Sequence, residues 1–476
     1  MAVSVTTTIV VTLLLIVCIS LVNVDASTIN PITSLPTYDK AIKGQYSGYI
    51  TVDSTKQYFY WFIESEANSK DPSQDPFIIY FQGGPACSSM LGALTENGYF
   101  TVMKDIKKSG QDKFYIVENK YSWSKLGHVL YIESPAGVGF SYNEDGNYTT
   151  GDTQTAEDNL AVVKDYASSP LFVGGESYAG HYIPQVAQLM VQDSSINIHG
   201  IMAGNPSFNY TTDAQYYLPF MAGHGLLSYS DFQNLTDICQ GSFYPGTAEC
   251  NDAINILSTN FDLINPYNIL EACKGGGPSK GGACFTADAF SSELRQSNPE
   301  TTVAKKDVSQ VFIPCLDESA VTGYLQRSDV MKHLGVSVRN IATGTWQPCS
   351  SAVNYTQYLE NIPQDYQTLL QAGLHVLVYS GDLDSCVPYL GTSLCVEQLG
   401  YPILNKWQPW TFKDEEGFEQ VAGYQISYDS SSAHPKSTLT YATVKGAGHM
   451  VPQYKPKESL LLVTQFISNS LGMDSQ

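Results

Sequence analysis

The stretch FVGGESYAGHY, residues 172–182, constrains this chain more than any other. The apolar run Leu171-Phe172-Val173 suits a short buried strand, and Ile183, Val186, Ala187 and Met190 recur at helical spacing. The chain must therefore turn from strand to helix within a few residues. Gly174, Gly175, Ala179 and Gly180 supply the small neighbours of such a turn, and Ser177 sits at its apex, held clear of the sheet. A nucleophile belongs there. The strict elbow pattern has glycine two residues after the serine, where this chain has Ala179.

A hydrolytic serine needs a base, and the base needs a carboxylate to hold its tautomer. In the α/β-hydrolase order these follow as acid, then histidine, each just after a core strand. HVLVYSGDLDSCVP is an apolar strand running into a loop with Asp382 and Asp384, and YATVKGAGHMVP is a strand running into a glycine turn that presents His449. The form Gly-x-x-Asp-x-x-Val-Pro favours Asp384 as the acid, with Asp382 bonding the turn. A single glycine-flanked histidine would be no more than a solvated loop residue; three ordered strand-end motifs carry the reading.

YSGYITV, QYFYWFIES, PFIIYFQGGP, GHVLYIESPAGVGFSY and IHGIMAGNP read as strands, with helical periodicity over residues 156–166. From about residue 210 the pattern changes to mixed helical segments with clustered cysteines. Strand and helix alternation resumes near HVLVYSGD. The expected fold class is α/β, an α/β-hydrolase core with a mostly parallel sheet flanked by helices and a mainly helical, disulfide-linked insertion. The divisions are a signal peptide over residues 1–26, core over 27–209, insertion over 210–335 and core again over 336–476. The glycine-rich loop at 274–283 lacks a phosphate-loop ending and reads as a tethered surface loop open to proteolysis.

The apolar N-terminal stretch ends in Val24-Asp25-Ala26, which suits signal cleavage after Ala26; an uncleaved anchor is the alternative. No second segment could span a bilayer. The sequons at Asn147, Asn209, Asn234 and Asn354 agree with a secretory route. So do the nine cysteines left after the signal, most of which should pair in an oxidising compartment. The net charge of −21 argues against nucleic acid as a partner. No CxxC or HExxH spacing occurs, so neither a metal nor another cofactor is expected.

With these motifs in view, the chain resembles the serine carboxypeptidase family over nearly its whole mature length. The resemblance rests on GGPACSS at 83–89, GESYAG at 175–180, YSGDLDSCVP at 379–388 and GAGHMVP at 446–452. It implies a catalytic set of Ser177, Asp384 and His449, with an oxyanion hole from the backbone N–H groups of Gly84 and Tyr178. It further implies that the substrate's C-terminal carboxylate is held by Gln82, Glu96 and Glu176. Gln82 stands where the family has asparagine, and Ala86 where it has glycine. The resemblance also implies the disulfides Cys87–Cys349, Cys239–Cys250 and Cys273–Cys315. Cys284 is left over and could replace Cys315 as the partner of Cys273, with Cys386–Cys395 as a local extra pair.

The implied activity is acyl-enzyme hydrolysis of the last peptide bond of peptides and proteins, with an acidic optimum, in a secreted, lysosomal or vacuolar setting. An acyltransferase of the same fold is the alternative. Such relatives typically carry aspartate at the elbow position that Glu176 occupies, which favours the peptidase, whereas Gln82 keeps the alternative open. A non-catalytic binding partner is a third reading, opposed by the intact Ser, Asp and His. A homodimer stays open.

Overall fold

Runs such as FIIYF and LFVGGE have no polar face, so they can be stable only as strands covered on both sides, the condition of a parallel sheet between helices. The computed structural model describes residues 29–473 other than 68, 106–112, 165–168, 262, 275–314, 337–339, 358–361 and 432–436. Its main sheet has 12 strands. In chain order, β1 is Ile29–Pro31, β2 Gln45–Thr51, β3 Lys56–Ile63, β4 Phe77–Phe81, β5 His128–Ile132 and β6 Leu171–Glu176. They are followed by β7 Ile198–Gly204, β8 His375–Gly381, β9 Ile403–Lys413, β10 Glu419–Asp429 and β11 Thr438–Val444. The order across the sheet is β1-β2-β3-β5-β4-β6-β7-β8-β11-β10-β9, with Tyr142–Asn143 paired to β3.

From β5 through β4, β6, β7 and β8 to β11 every pairing is parallel, so all these strands end at one edge of the sheet. Residues just past strand ends, remote in sequence, thereby meet in one crevice. On one face lie α1 (Asp152–Val163), α2 (Ala179–Val191), α6 (Ile362–Gln371) and α7 (Tyr389–Gln398), packed through Val162, Ile183, Val186, Leu369 and Val396. Helix α8 (Pro456–Ser470) covers the other face through Leu462, Val463 and Phe466. Helix α1 begins four residues before the expected 156, with Asp152 in its first turn, where a carboxylate suits the helix dipole.

Helices α3 (Tyr210–Gly223), α4 (Tyr229–Ile238) and α5 (Ala248–Ser258) form a unit with its own apolar cluster around Leu218, Met221, Leu235, Ile254 and Phe261. The bridge Cys239–Cys250 closes it, Cys273–Cys315 lies beside it, and Cys87–Cys349 ties two distant segments together. Cys284, the loop at 274–283 beyond Lys274 and the signal segment lie outside the described residues. The local pair Cys386–Cys395 is not formed. Cys395 is a free, buried thiol on the core side of α7, whereas Cys386 precedes that helix, faces Pro266 through its backbone and is itself disulfide-bonded, though not to Cys395.

The antiparallel hairpin β9–β10 at the sheet edge was not anticipated. Its first strand is largely exposed, contains Pro409 and lacks the alternation that marks a half-buried strand. Among the sequons, Asn147, Asn234 and Asn354 are exposed, while half-buried Asn209 caps α3 by accepting from Thr212 N at 3.1 Å. No helix of the described residues is long and apolar enough to cross a membrane.

Candidate active site

Strand β6 ends at Glu176, and Ser177 adopts φ 62° before α2 begins. A left-handed non-glycine residue costs about 1–3 kcal/mol, so it persists only where its surroundings over-determine it. They do here: Ser177 N donates to Gly204 O at 3.0 Å, and Ser177 O accepts from Gly180 N at 2.9 Å and Ser207 N at 3.0 Å. A β-carbon on Gly175 would stand 2.2 Å from Phe81 O, and one on Gly83 would stand 2.5 Å from Tyr178 N. Ala179 is tolerated in place of glycine because the neighbour its methyl faces is Gly175.

Asp384 follows β8 and His449 follows β11, with exposures of 0% and 3%. His449 Nδ1 lies 2.7 Å from Asp384 Oδ2. The same oxygen accepts from Asn205 Nδ2 at 2.8 Å, and Oδ1 accepts from Cys386 N at 2.8 Å. With the Asp384 carboxylate at Nδ1, the imidazole carries its proton there and leaves Nε2 free as an acceptor. Asp382 turns elsewhere: its Oδ1 accepts from Gly446 N at 2.6 Å and so joins the acid and histidine loops.

Two contributors escaped the reading of the sequence. Asn205 directly follows β7 within AGNP, and that position just past a strand end was the available signal. Tyr267 accepts His449 N at its carbonyl, 2.7 Å away, and sets its ring edge-on to the imidazole at 5.2 Å. It comes from the cysteine-rich segment, where no periodicity marks it.

Gln82 leaves β4, Glu96 closes the helical turn Gly92–Glu96, and Glu176 immediately precedes Ser177. Their exposures are 8%, 3% and 1%. Gln82 Nε2 donates to Glu176 Oε1 at 2.7 Å, and Tyr80 OH donates to Glu96 Oε2 at 3.2 Å. Burial raises the Glu96 pKa to about 7. Burial and then the Glu96 charge hold Glu176 well above the usual carboxylate range. Gln82 Oε1 and Glu96 Oε1 are buried without a hydrogen-bond donor.

Tyr178 opens α2, and its phenol donates to Asp152, which also accepts from Tyr355 OH at 2.7 Å. Gly84 lies one residue from the Gly83 contact, and Ala86 adopts φ 67°, a conformation cheap for glycine and strained for alanine. Among the described residues, no three His, Cys, Asp or Glu side chains cluster as a metal site.

A parallel sheet between helices, with a serine elbow and strand-end Asp and His, defines an α/β-hydrolase fold. More narrowly, the chain belongs to the serine carboxypeptidase family, whose model matches residues 36–469. It is 32% identical to serine carboxypeptidase-like 20 of Arabidopsis thaliana, over 92% of this chain and 93% of that one. It is 33% identical to the lysosomal protective protein of Mus musculus, over 89% and 90%. The fold is shared with a prohormone-processing carboxypeptidase of Saccharomyces cerevisiae at a TM-score of 0.66 and 21% identity, covering 93% of this chain and 94% of that one.

Proposed function

We propose that this protein is a serine-type carboxypeptidase that removes the last residue of peptides and proteins. Ser177 Oγ attacks the last peptide carbonyl while His449 Nε2 takes its proton, and Asp384 holds the imidazole and stabilises the imidazolium. The backbone N–H groups of Gly84 and Tyr178 receive the oxyanion. Collapse passes the proton to the leaving amine, and water then releases the acyl-enzyme by the same route.

The observation that carries this reading is a buried Gln82, Glu96 and Glu176 group joined to the serine elbow, in the crevice that holds the His449–Asp384 pair. A free C-terminal carboxylate entering there would meet two acids, so at least one proton must be shared among the three. Binding strengthens in acid while the base still has to be neutral, which produces a bell-shaped profile with its maximum on the acid side. Signal cleavage after Ala26, glycosylation at the four sequons and delivery to a secreted, lysosomal or vacuolar compartment complete the proposal.

Residues 27–476 assayed in acid on a blocked dipeptide should release the last amino acid. The C-terminal amide should release little and Ser177→Ala none. Release from amide and acid alike would remove the clamp from the reading. One feature supports acyl transfer as a second reading: Gln82 already gives one of its two amide N–H groups to Glu176, so fewer donors remain for a ligand carboxylate. A labelled Ser177 that transfers acyl groups to an alcohol and does not hydrolyse the dipeptide would favour it.

A further inference from the structure

Glu133 follows β5 and is wholly buried, yet the chemistry above does not use it. Burying a carboxylate without partners is prohibitive, so its donors show what it is for. Oε1 accepts from Ser88 Oγ and from Trp346 Nε1 at 2.9 Å, and Oε2 accepts from Phe140 N at 2.6 Å. Its own backbone is held at both ends, with N donating to Phe59 O at 3.0 Å and O accepting from Ser141 Oγ at 2.6 Å. Room for the carboxylate requires Gly139, where a β-carbon would lie 1.9 Å from Oε1.

Ser88 belongs to the loop at 82–89 that carries Gly84 and Gln82. Trp346 belongs to the segment against which that loop is strapped: Ser88 N donates to Pro348 O and Ser350 N to Ala86 O, each at 2.8 Å, beside Cys87–Cys349. One carboxylate oxygen therefore gathers a donor from each side of the strap. We propose that Glu133, through Ser88 and Trp346, is a positioning residue that aims the loop bearing the Gly84 N–H at the reacting carbonyl. This rests on the reading of Ser177 as nucleophile and Gly84 as oxyanion donor. Burial raises the Glu133 pKa to about 7, and the three donors oppose that rise.

The loop must be held closely because oxyanion stabilisation depends on donor placement. A lost donor costs about 10²–10³ in kcat, and misplacement by about 1 Å costs about 10². The test compares Ser88→Ala and Glu133→Gln with wild type, with Ser88→Thr as the variant that keeps the hydroxyl. Four quantities are read: the thermal midpoint, kcat and KM on the blocked dipeptide, and the rate at which a serine-directed phosphonate labels Ser177.

Ser88→Ala should fold, with kcat and the labelling rate falling together by about 10- to 100-fold and KM within about twofold. Ser88→Thr should recover most of both rates. A folded Ser88→Ala that labels and turns over at the wild-type rate overturns the inference, as does a loss confined to KM. If Glu133→Gln does not fold, the two Ser88 variants decide. Wild-type protein that resists the phosphonate defeats the underlying nucleophile reading instead, which keeps the two failures apart.

Discussion

His449 Nδ1 sits 2.7 Å from Asp384 Oδ2, while Asp382, two residues earlier, binds Gly446 N at 2.6 Å and not the imidazole. Two neighbouring carboxylates thus have different partners, and substitution should separate them. Asp384→Asn is expected to lower kcat by about 10⁴ with the fold intact, because the amide stabilises the wrong tautomer. Asp382→Asn should mainly lower the thermal midpoint. Steady-state kinetics and melting of both variants check this, and equal kinetic losses would refute the division.

The buried acids Glu96 and Glu176 make the affinity for a free carboxylate depend on pH. Burial raises Glu96 to about 7, and burial with the Glu96 charge holds Glu176 well above the usual carboxylate range, so at acid pH the pair retains protons. Above about pH 7 the clamp ionises against the substrate's own charge. KM for the free acid should then climb by up to about tenfold per pH unit, while KM for the matching C-terminal amide stays level. Parallel KM profiles for acid and amide would count against the clamp.

Stability should fall on alkalisation. Glu96 and Glu133 have folded pKa values raised to about 7 from 4.5, each mainly by burial. The folded state therefore holds more protons than the unfolded chain between those values. The stability this brings is complete below pH 4.5 and is lost as pH rises through about 7. Thermal midpoints measured from pH 5 to pH 8 should decline, and Glu96→Gln should flatten part of the slope.

Glycines of this fold differ sharply in what they tolerate. Gly175→Ala would force a β-carbon to 2.2 Å from Phe81 O and should prevent accumulation of folded protein. Gly146 has φ 72° with open space around it, so Gly146→Ala should cost only about 1–2 kcal/mol. Expression and chemical denaturation of the pair measure the contrast.

Peptide mapping without reductant should recover Cys87 with Cys349 and should find Cys395 unpaired. Burial pushes the Cys395 thiol up to about 12, so it should resist alkylation until the protein is unfolded. Alkylation of Cys395 in the native state would contradict its burial.

Much of the site was legible because each motif is local. A buried apolar run followed by Gly-x-Ser, Gly-x-x-Asp or Gly-x-Gly-His marks a strand end, and parallel pairing carries strand ends to one edge whatever their separation in sequence. The α/β core, the elbow and the residues gathered beside it were therefore readable from local pattern. Packing between distant segments sets which oxygen each donor meets: Asn205 and Cys386 on Asp384, Tyr267 on His449, and Ser88 with Trp346 on Glu133. It also turned Cys395 into the core, away from Cys386, and laid down the exposed hairpin β9–β10. Those outcomes depend on helix rotation and on contacts between distant segments, where a hydrogen bond is set by the packing of both partners and leaves no periodic trace in either one.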